Sequence, residues 1–307
     1  MLPSSSKLLF LIKSANAGSA VSHPSQPPPQ PHLESPLFKR ELFAFVAGPL
    51  VLAGIIWAPS WVFVLILSGV VLVAGDELLR MAQGAGVRCG RVIPLLALAL
   101  LLGTAAFAGP IELAAGAAVV ILLLPVVQLL HPDTPQGALT GMAVGVFSVL
   151  YLGFTCASLG WLRTMPTDSN TGVKVLLLFM LSIWIGDSGA YYVGKNLGRH
   201  RMSPRVSPKK TWEGLAGGIV ATFMAAVVFN LLFPLPFAWF HIMAIAGILS
   251  VAAPVGDLIE SLFKRDTGVK DSSSLIPGHG GLLDRTDSLL FAAPLVLAYL
   301  LVSGIIQ

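Results

Sequence analysis

From residue 42 onward the chain alternates long uncharged apolar runs with short polar connections. The runs lie at about 42–58, 60–75, 92–109, 112–130, 138–160, 174–194, 214–233, 237–257 and 288–306. Crossing a hydrocarbon core of ~30 Å takes around 20 helical residues. The pattern therefore predicts an all-α polytopic membrane protein with about nine transmembrane helices. The tightest passage is Leu42 to Gly75, where 34 uncharged residues barely suffice for two crossings. Pro59-Ser60 offers the turn, and the charge pattern requires one, because Lys39, Arg40 and Arg80 belong on one side of the bilayer.

Composition agrees with this reading. Charged residues make up 11% of the chain and hydrophobic residues 55%, with a mean hydropathy of +0.82. A soluble domain carries about 25% charged residues. With an odd number of spans the termini lie on opposite sides, and all of the 19 Lys and Arg except Arg163 and Lys174 then share one side. The positive-inside rule makes that side, and the N-terminus, cytoplasmic. Trp57, Trp61, Trp161 and Trp239 fall at the other interface, as an aromatic belt would. The net charge of +4 thus reflects topology and gives no argument for a nucleic-acid partner.

Residues 1–36 are rich in Ser, Pro and Gln, with PSQPPPQP at 24–31 and no acidic residue before Glu34. Such a composition cannot bury a core, and a disordered cytoplasmic tail is expected. LLFLI at 8–12 is short for a signal-peptide core. Residues 37–160 read as transmembrane scaffold, their spans almost free of ionisable groups. Residues 161–307 read as the catalytic transmembrane region with its cytoplasmic loops. Gly141-xxx-Gly145 and Gly214-xxx-Gly218 allow close helix approach. Cys89 and Cys156 have neither metal-ligand spacing nor a reason to pair.

Three constellations carry candidate chemistry. Asp187 lies in the cytoplasmic half of the sixth span, where a carboxylate calls for a partner or an ion. Residues 194–214 form a basic loop with Lys195, Arg199, Arg201, Arg205, Lys209 and Lys210, a composition that also suits unspecific contact with anionic lipid. Within it Thr211 is placed to cap the next helix, with Glu213 in the first turn, leaving two lysines beside a helix N-terminus suited to phosphate. The third is residues 257–287. Asp257, Ser261 and Lys264 share a helix face by their spacing, as do Asp284 and Asp287. Between them Pro277-Gly278-His279-Gly280-Gly281 permits backbone forms closed to other residues and close approach to a ligand. Carboxylates alternating with Lys and Arg suit a cation–polyphosphate complex. His279 has no zinc-ligand spacing around it.

Ser261-Leu-Phe-Lys264-Arg265, Lys270-Asp271, Pro277-Gly-His279-Gly280-Gly281 and Asp284-Arg285-Thr-Asp287 together resemble the signature of the phosphatidate cytidylyltransferases, or CDP-diacylglycerol synthases. Ser207-Pro-Lys-Lys-Thr-Trp-Glu-Gly214 and Asp187-Ser-Gly-Ala-Tyr191 resemble that family's upstream motifs, and the likeness runs over about residues 40–307. The resemblance implies that CTP and phosphatidate react to give CDP-diacylglycerol and pyrophosphate with Mg²⁺ as cofactor. It implies catalytic roles for Asp257, Lys264, Arg265, Lys270, Asp271, His279, Asp284, Arg285 and Asp287. Substrate contacts would come from Ser207, Lys209, Lys210, Thr211, Ser261, Gly280 and Gly281. Metal ligands would be Asp257, Asp284, Asp287 and Asp187. Membrane lipid is then the milieu, a homodimer is one assembly to test, and a bacterial cell membrane with the site facing the cytoplasm is the expected location. The rivals are a CTP-dependent lipid kinase, which would release CDP, and a transporter, whose charges would line a path across the bilayer. A CDP-alcohol phosphatidyltransferase lacks support, because its aspartate motif is absent.

Overall fold

Uncharged runs rich in Ala, Leu, Val and Gly satisfy their backbone polar groups internally only as helices, and in lipid nothing else does so within one segment. A computed structural model describes residues 36–107, 110–130, 136–165, 169–276 and 280–306. Among them are nine helices: α1 (Pro36–Trp57), α2 (Ser60–Gly84), α3 (Val92–Phe107), α4 (Pro110–Leu129), α5 (Ala138–Arg163), α6 (Ser169–Leu197), α7 (Trp212–Leu232), α8 (Trp239–Asp266) and α9 (Leu283–Val302). Each falls on one expected span. Seven are long and apolar enough to cross a membrane, while Val46–Trp57 and Val92–Ala105 are shorter apolar helices. The turn expected at Pro59-Ser60 is present, Pro59 standing as the N-cap of α2. The expected tail falls outside the described residues except for Pro36, which opens α1.

Two features were not expected. The basic stretch after α6 is a β-hairpin, β1 (Arg201–Ser203) paired antiparallel with β2 (Ser207–Thr211). Several helices also outrun their apolar runs. α2 continues past Gly75 to Gly84 and α8 past Asp257 to Asp266, while α9 starts at Leu283. The charged groups of these segments therefore ride on helix ends, with defined directions.

Two apolar cores hold the bundle. One gathers Phe179 and Ile183 of α6, Phe229 of α7, Ile245 and Leu249 of α8 and Val296 of α9. The other gathers Val71 of α2, Leu98 and Leu101 of α3, Leu113 of α4 and Leu152 of α5. α9 joins them, since Leu283 and Leu290 belong to the second core and Ala292 and Val296 to the first. The outer faces carry large exposed apolar side chains, among them Leu65, Leu100, Leu122, Val220 and Leu231. Such contiguous apolar exposure belongs against lipid, and the protein is an integral membrane protein.

Glycine sets the closest contacts. A Cβ on Gly186 or Gly189 would run into Thr222 or Ala221 of α7, and one on Gly217 into Val193 of α6. Gly214 and Gly218 face Ala190 across the same seam, as their spacing suggested, whereas Gly141 abuts the backbone of Arg88 in the α2–α3 loop. At the far end Arg163 is buried and donates to the carbonyls of Ile55 at 2.9 Å and Ala58 at 3.2 Å, closing the C-terminus of α1. Cys89 and Cys156 are free and buried. Burial pushes the Cys89 thiol up, away from reactive thiolate.

Candidate active site

The ends of α6, α8 and α9 and the β-hairpin enclose a cavity of ≈ 860 Å³. Its walls carry the carboxylates of Asp187, Asp257, Asp271, Asp284 and Asp287. Facing them are the cations of Lys195, Lys209, Lys210, Lys264 and Arg285. The inner wall is apolar, with Ile183, Trp184, Leu215 and Leu289.

Local structure explains how these groups are aimed. Thr211 is extended and caps α7 as expected, its Oγ1 accepting from the Gly214 N–H at 3.1 Å. Glu213 then reaches back to the hairpin and accepts from the Arg199 N–H at 3.1 Å, while the Trp212 N–H donates to the His200 carbonyl at 2.9 Å. The hairpin is thereby fixed on the first turn of α7, and its second strand delivers Lys209 and Lys210 to the cavity. Lys210 Nζ lies 2.7 Å from Asp257 Oδ2 and donates to the Pro254 carbonyl at 3.3 Å. Ser261, one turn on, donates to Asp257 Oδ1 at 3.3 Å. Gly256 brings α9 against α8 at this level, for a Cβ there would stand 2.7 Å from the Asp287 carbonyl oxygen.

That close approach gathers carboxylates. Asp257, Glu260 and Asp287 each present an oxygen within 4.8 Å of the others. Glu260 was not singled out from the sequence, although it lies one turn beyond Asp257 on the same face. It is 3% exposed, its Oε1 receives no hydrogen bond, and its Oε2 forms an ion pair with Lys264 Nζ at 2.5 Å.

Asp284 behaves differently from Asp287, three residues away. Its Oδ1 accepts from Lys264 Nζ at 2.6 Å, its Oδ2 accepts from the Ser272 and Gly281 N–H groups, each at 2.8 Å, and the Ser272 hydroxyl, also 2.8 Å away, is shared between Asp284 and Glu77. Both of its oxygens are engaged by protein donors, and it lies outside the converging trio while standing within hydrogen-bonding reach of Glu260. The glycines also serve another purpose than the one expected. Gly280 has φ +80°, open to glycine at little cost, and its carbonyl accepts from Ile276 at 2.9 Å. A Cβ on Gly281 would overlap Ser272 Oγ and both oxygens of Glu77. The Gly281 N–H is already engaged by Asp284 rather than free for a ligand.

The remaining expected residues divide. Asp271 and Arg285 line the cavity and are exposed. Arg265 is not among the lining residues: its Nε donates to the Val206 carbonyl at 3.2 Å and its Nη1 to that of Val269 at 3.3 Å, bracing the hairpin tip. Lys270 is exposed and outside the lining, and Ser207 pairs with Ser203 in the hairpin. His279 lies outside the described residues.

Fold and site define a helical integral membrane protein with a deep, mixed-charge cavity at one end of its bundle, walled by rigid helix termini. Comparison with known sequences gives that class a family. The profile of the cytidylyltransferase family matches residues 38–303, and the chain belongs to that family. It is 47% identical over 123 residues to the phosphatidate cytidylyltransferase of Bacillus subtilis, covering 40% of this chain and 46% of that protein. It is 48% identical over 132 residues to the phosphatidate cytidylyltransferase of Synechocystis, covering 43% and 44%. A protein of Escherichia coli named YnbB, described as uncharacterized, is 37% identical over 174 residues, covering 56% of this chain and 58% of its own length. The matched segments thus span about half the length of these relatives.

Proposed function

We propose that the chain transfers the cytidylyl group of CTP to phosphatidate, forming CDP-diacylglycerol and pyrophosphate. The observation that carries this reading is the convergence of Asp257, Glu260 and Asp287 in a cavity that also presents Lys209, Lys210 and Arg285. Lys210 pairs with Asp257 and Lys264 with Glu260, but Lys264 is shared with Asp284 and Asp287 has no ion pair among the described residues. The converging carboxylates therefore keep an excess of negative charge that a further cation would offset. Hard oxygen donors beside a phosphate site suit Mg²⁺, which is held by one or two carboxylates and substrate phosphates. The unsatisfied Oε1 of Glu260 fits the same demand. Bound there, Mg²⁺ would offset the charge that develops on the phosphates during transfer.

The chain's own residues account for the rest. A phosphate monoester is already anionic near neutral pH, so the attacking phosphatidate oxygen needs no base. It forms a bond to the α-phosphorus of CTP as the bond to the β-phosphate oxygen breaks, and the electron pair leaves with pyrophosphate. Such a step depends on alignment and charge stabilisation. Lys209, Lys210 and Arg285 would neutralise and orient the phosphates, and the apolar wall at Trp184, Leu215 and Leu289 would receive the start of the lipid's acyl chains. The location that follows is a bacterial cell membrane with the cavity facing the cytoplasm, supported by the cation asymmetry of the loops.

The test uses purified protein, phosphatidate, Mg²⁺ and CTP labelled in either the α- or the γ-phosphate. Label from the α-position entering lipid, with pyrophosphate released, is the expected result. Label from the γ-position entering lipid would establish a kinase, and no labelled lipid from folded protein would reject the proposal.

A further inference from the structure

Glu77 sits near the end of α2, in the half of the bundle that reads as inert scaffold, yet it is 3% exposed and makes no ion pair among the described residues. All of its acceptor capacity goes to a single target, the segment between α8 and α9. Its Oε1 accepts from the Ser273 hydroxyl at 2.6 Å and the Leu282 N–H at 3.1 Å. Its Oε2 accepts from the Leu283 N–H at 2.8 Å and lies 3.0 Å from the Ser272 hydroxyl, whose one proton it shares with Asp284. Leu282 and Leu283 are the N-cap and first residue of α9, and α9 has no side-chain cap of its own. A helix N-terminus has unpaired N–H groups and a partial positive charge, so a carboxylate delivered from another helix satisfies both.

We infer that Glu77 is a positioning residue for the transfer site: a cap supplied in trans that fixes where α9 begins. This rests on the function proposed above. The same Ser272 that bonds Glu77 also bonds Asp284, which holds Lys264 against Glu260. Asp287 follows Asp284 by less than one turn. The start of α9 therefore sets the depth at which Asp287 meets Asp257 and Glu260, and Glu77 controls it without touching the cavity. Gly281 is required because any side chain there would displace this carboxylate.

Glu77→Gln keeps the shape but presents N–H₂ to two of the four donors. Its test compares it with Asp76→Asn, which removes the ion pairs from Asp76 to Arg80 and Arg91 at the same end of α2 and touches none of these groups. Three readouts apply: amide exchange of residues 272–276 and 280–285, Mn²⁺ affinity of the substrate-free protein by paramagnetic resonance, and turnover. In Glu77→Gln, exchange in that segment is expected to accelerate, Mn²⁺ affinity to fall about 10-fold or more, as removing a supporting hydrogen bond at a metal site does, and kcat to fall at unchanged KM for CTP. Asp76→Asn is expected to match the parent in all three. Unchanged exchange and Mn²⁺ affinity in folded Glu77→Gln, or equal losses in Asp76→Asn, would overturn the inference. Exchange and Mn²⁺ affinity decide it even if the parent protein makes no CDP-diacylglycerol, an outcome that rejects only the reaction proposed above.

Discussion

Two groups of carboxylates meet at the α8–α9 corner, and they differ in what surrounds them rather than in residue type. On the loop side, Asp284 and Glu77 each accept three hydrogen bonds, from Ser273, Lys264 and backbone N–H groups at residues 272–283, and share the one proton of the Ser272 hydroxyl. On the cavity side, Asp257, Glu260 and Asp287 converge within 4.8 Å, with Lys210 on Asp257 and Lys264 on Glu260 leaving an excess of negative charge among them. Saturated carboxylates hold a fold together, whereas converging, unsaturated ones store repulsion that a cation removes. Lys264 lies between the groups, paired with Glu260 on one side and Asp284 on the other.

The contrast predicts opposite signatures for two neighbouring substitutions. Asp287→Asn is expected to lower CDP-diacylglycerol formation by about 10³-fold, the effect of losing several kcal/mol of charge stabilisation. Its melting temperature in detergent should hold or rise, because one of three mutually repelling charges is gone. A clear fall in stability with modest loss of turnover would break the comparison. Asp284→Asn should lose turnover less steeply, by about 10- to 100-fold as a supporting residue. It should also lose about 1–3 kcal/mol of stability, because the amide keeps one acceptor oxygen and cannot serve both Lys264 and the buried donors at Ser272 and Gly281. Thermal unfolding of the two variants side by side checks this.

Smaller effects sharpen the picture at the rim. Lys210→Ala removes the partner of Asp257 and the phosphate contact proposed for Lys210, and an increase of about 10-fold in KM for CTP is expected. Arg265→Ala should change turnover by about 3-fold or less, since this exposed side chain only braces the hairpin tip. A 100-fold loss there would mean that Arg265 contacts substrate.

How much of this was legible in the sequence follows from the range of the interactions. The uncharged runs fixed the helices because a bilayer leaves the backbone no alternative. Asp257, Ser261 and Lys264 were readable as one face because helical spacing is local. Asp284 and Asp287 looked equivalent for the same reason, and only the position of Ser272 and Gly281 in space separates them. Glu77 could not be found by spacing at all: its partners lie 195 to 206 residues away. One local signal was available for Glu260, its place one turn after Asp257 on the same helix face. The hairpin escaped because five residues of SPKKT show no apolar alternation for a strand to announce itself.

The most direct test of the account is Mn²⁺ binding to the substrate-free protein, followed by paramagnetic resonance in the parent, Asp287→Asn and Asp284→Asn. Binding should be lost in Asp287→Asn and persist, weakened by about 10-fold, in Asp284→Asn. Full binding in Asp287→Asn together with its loss in Asp284→Asn would contradict the division of the two carboxylate groups.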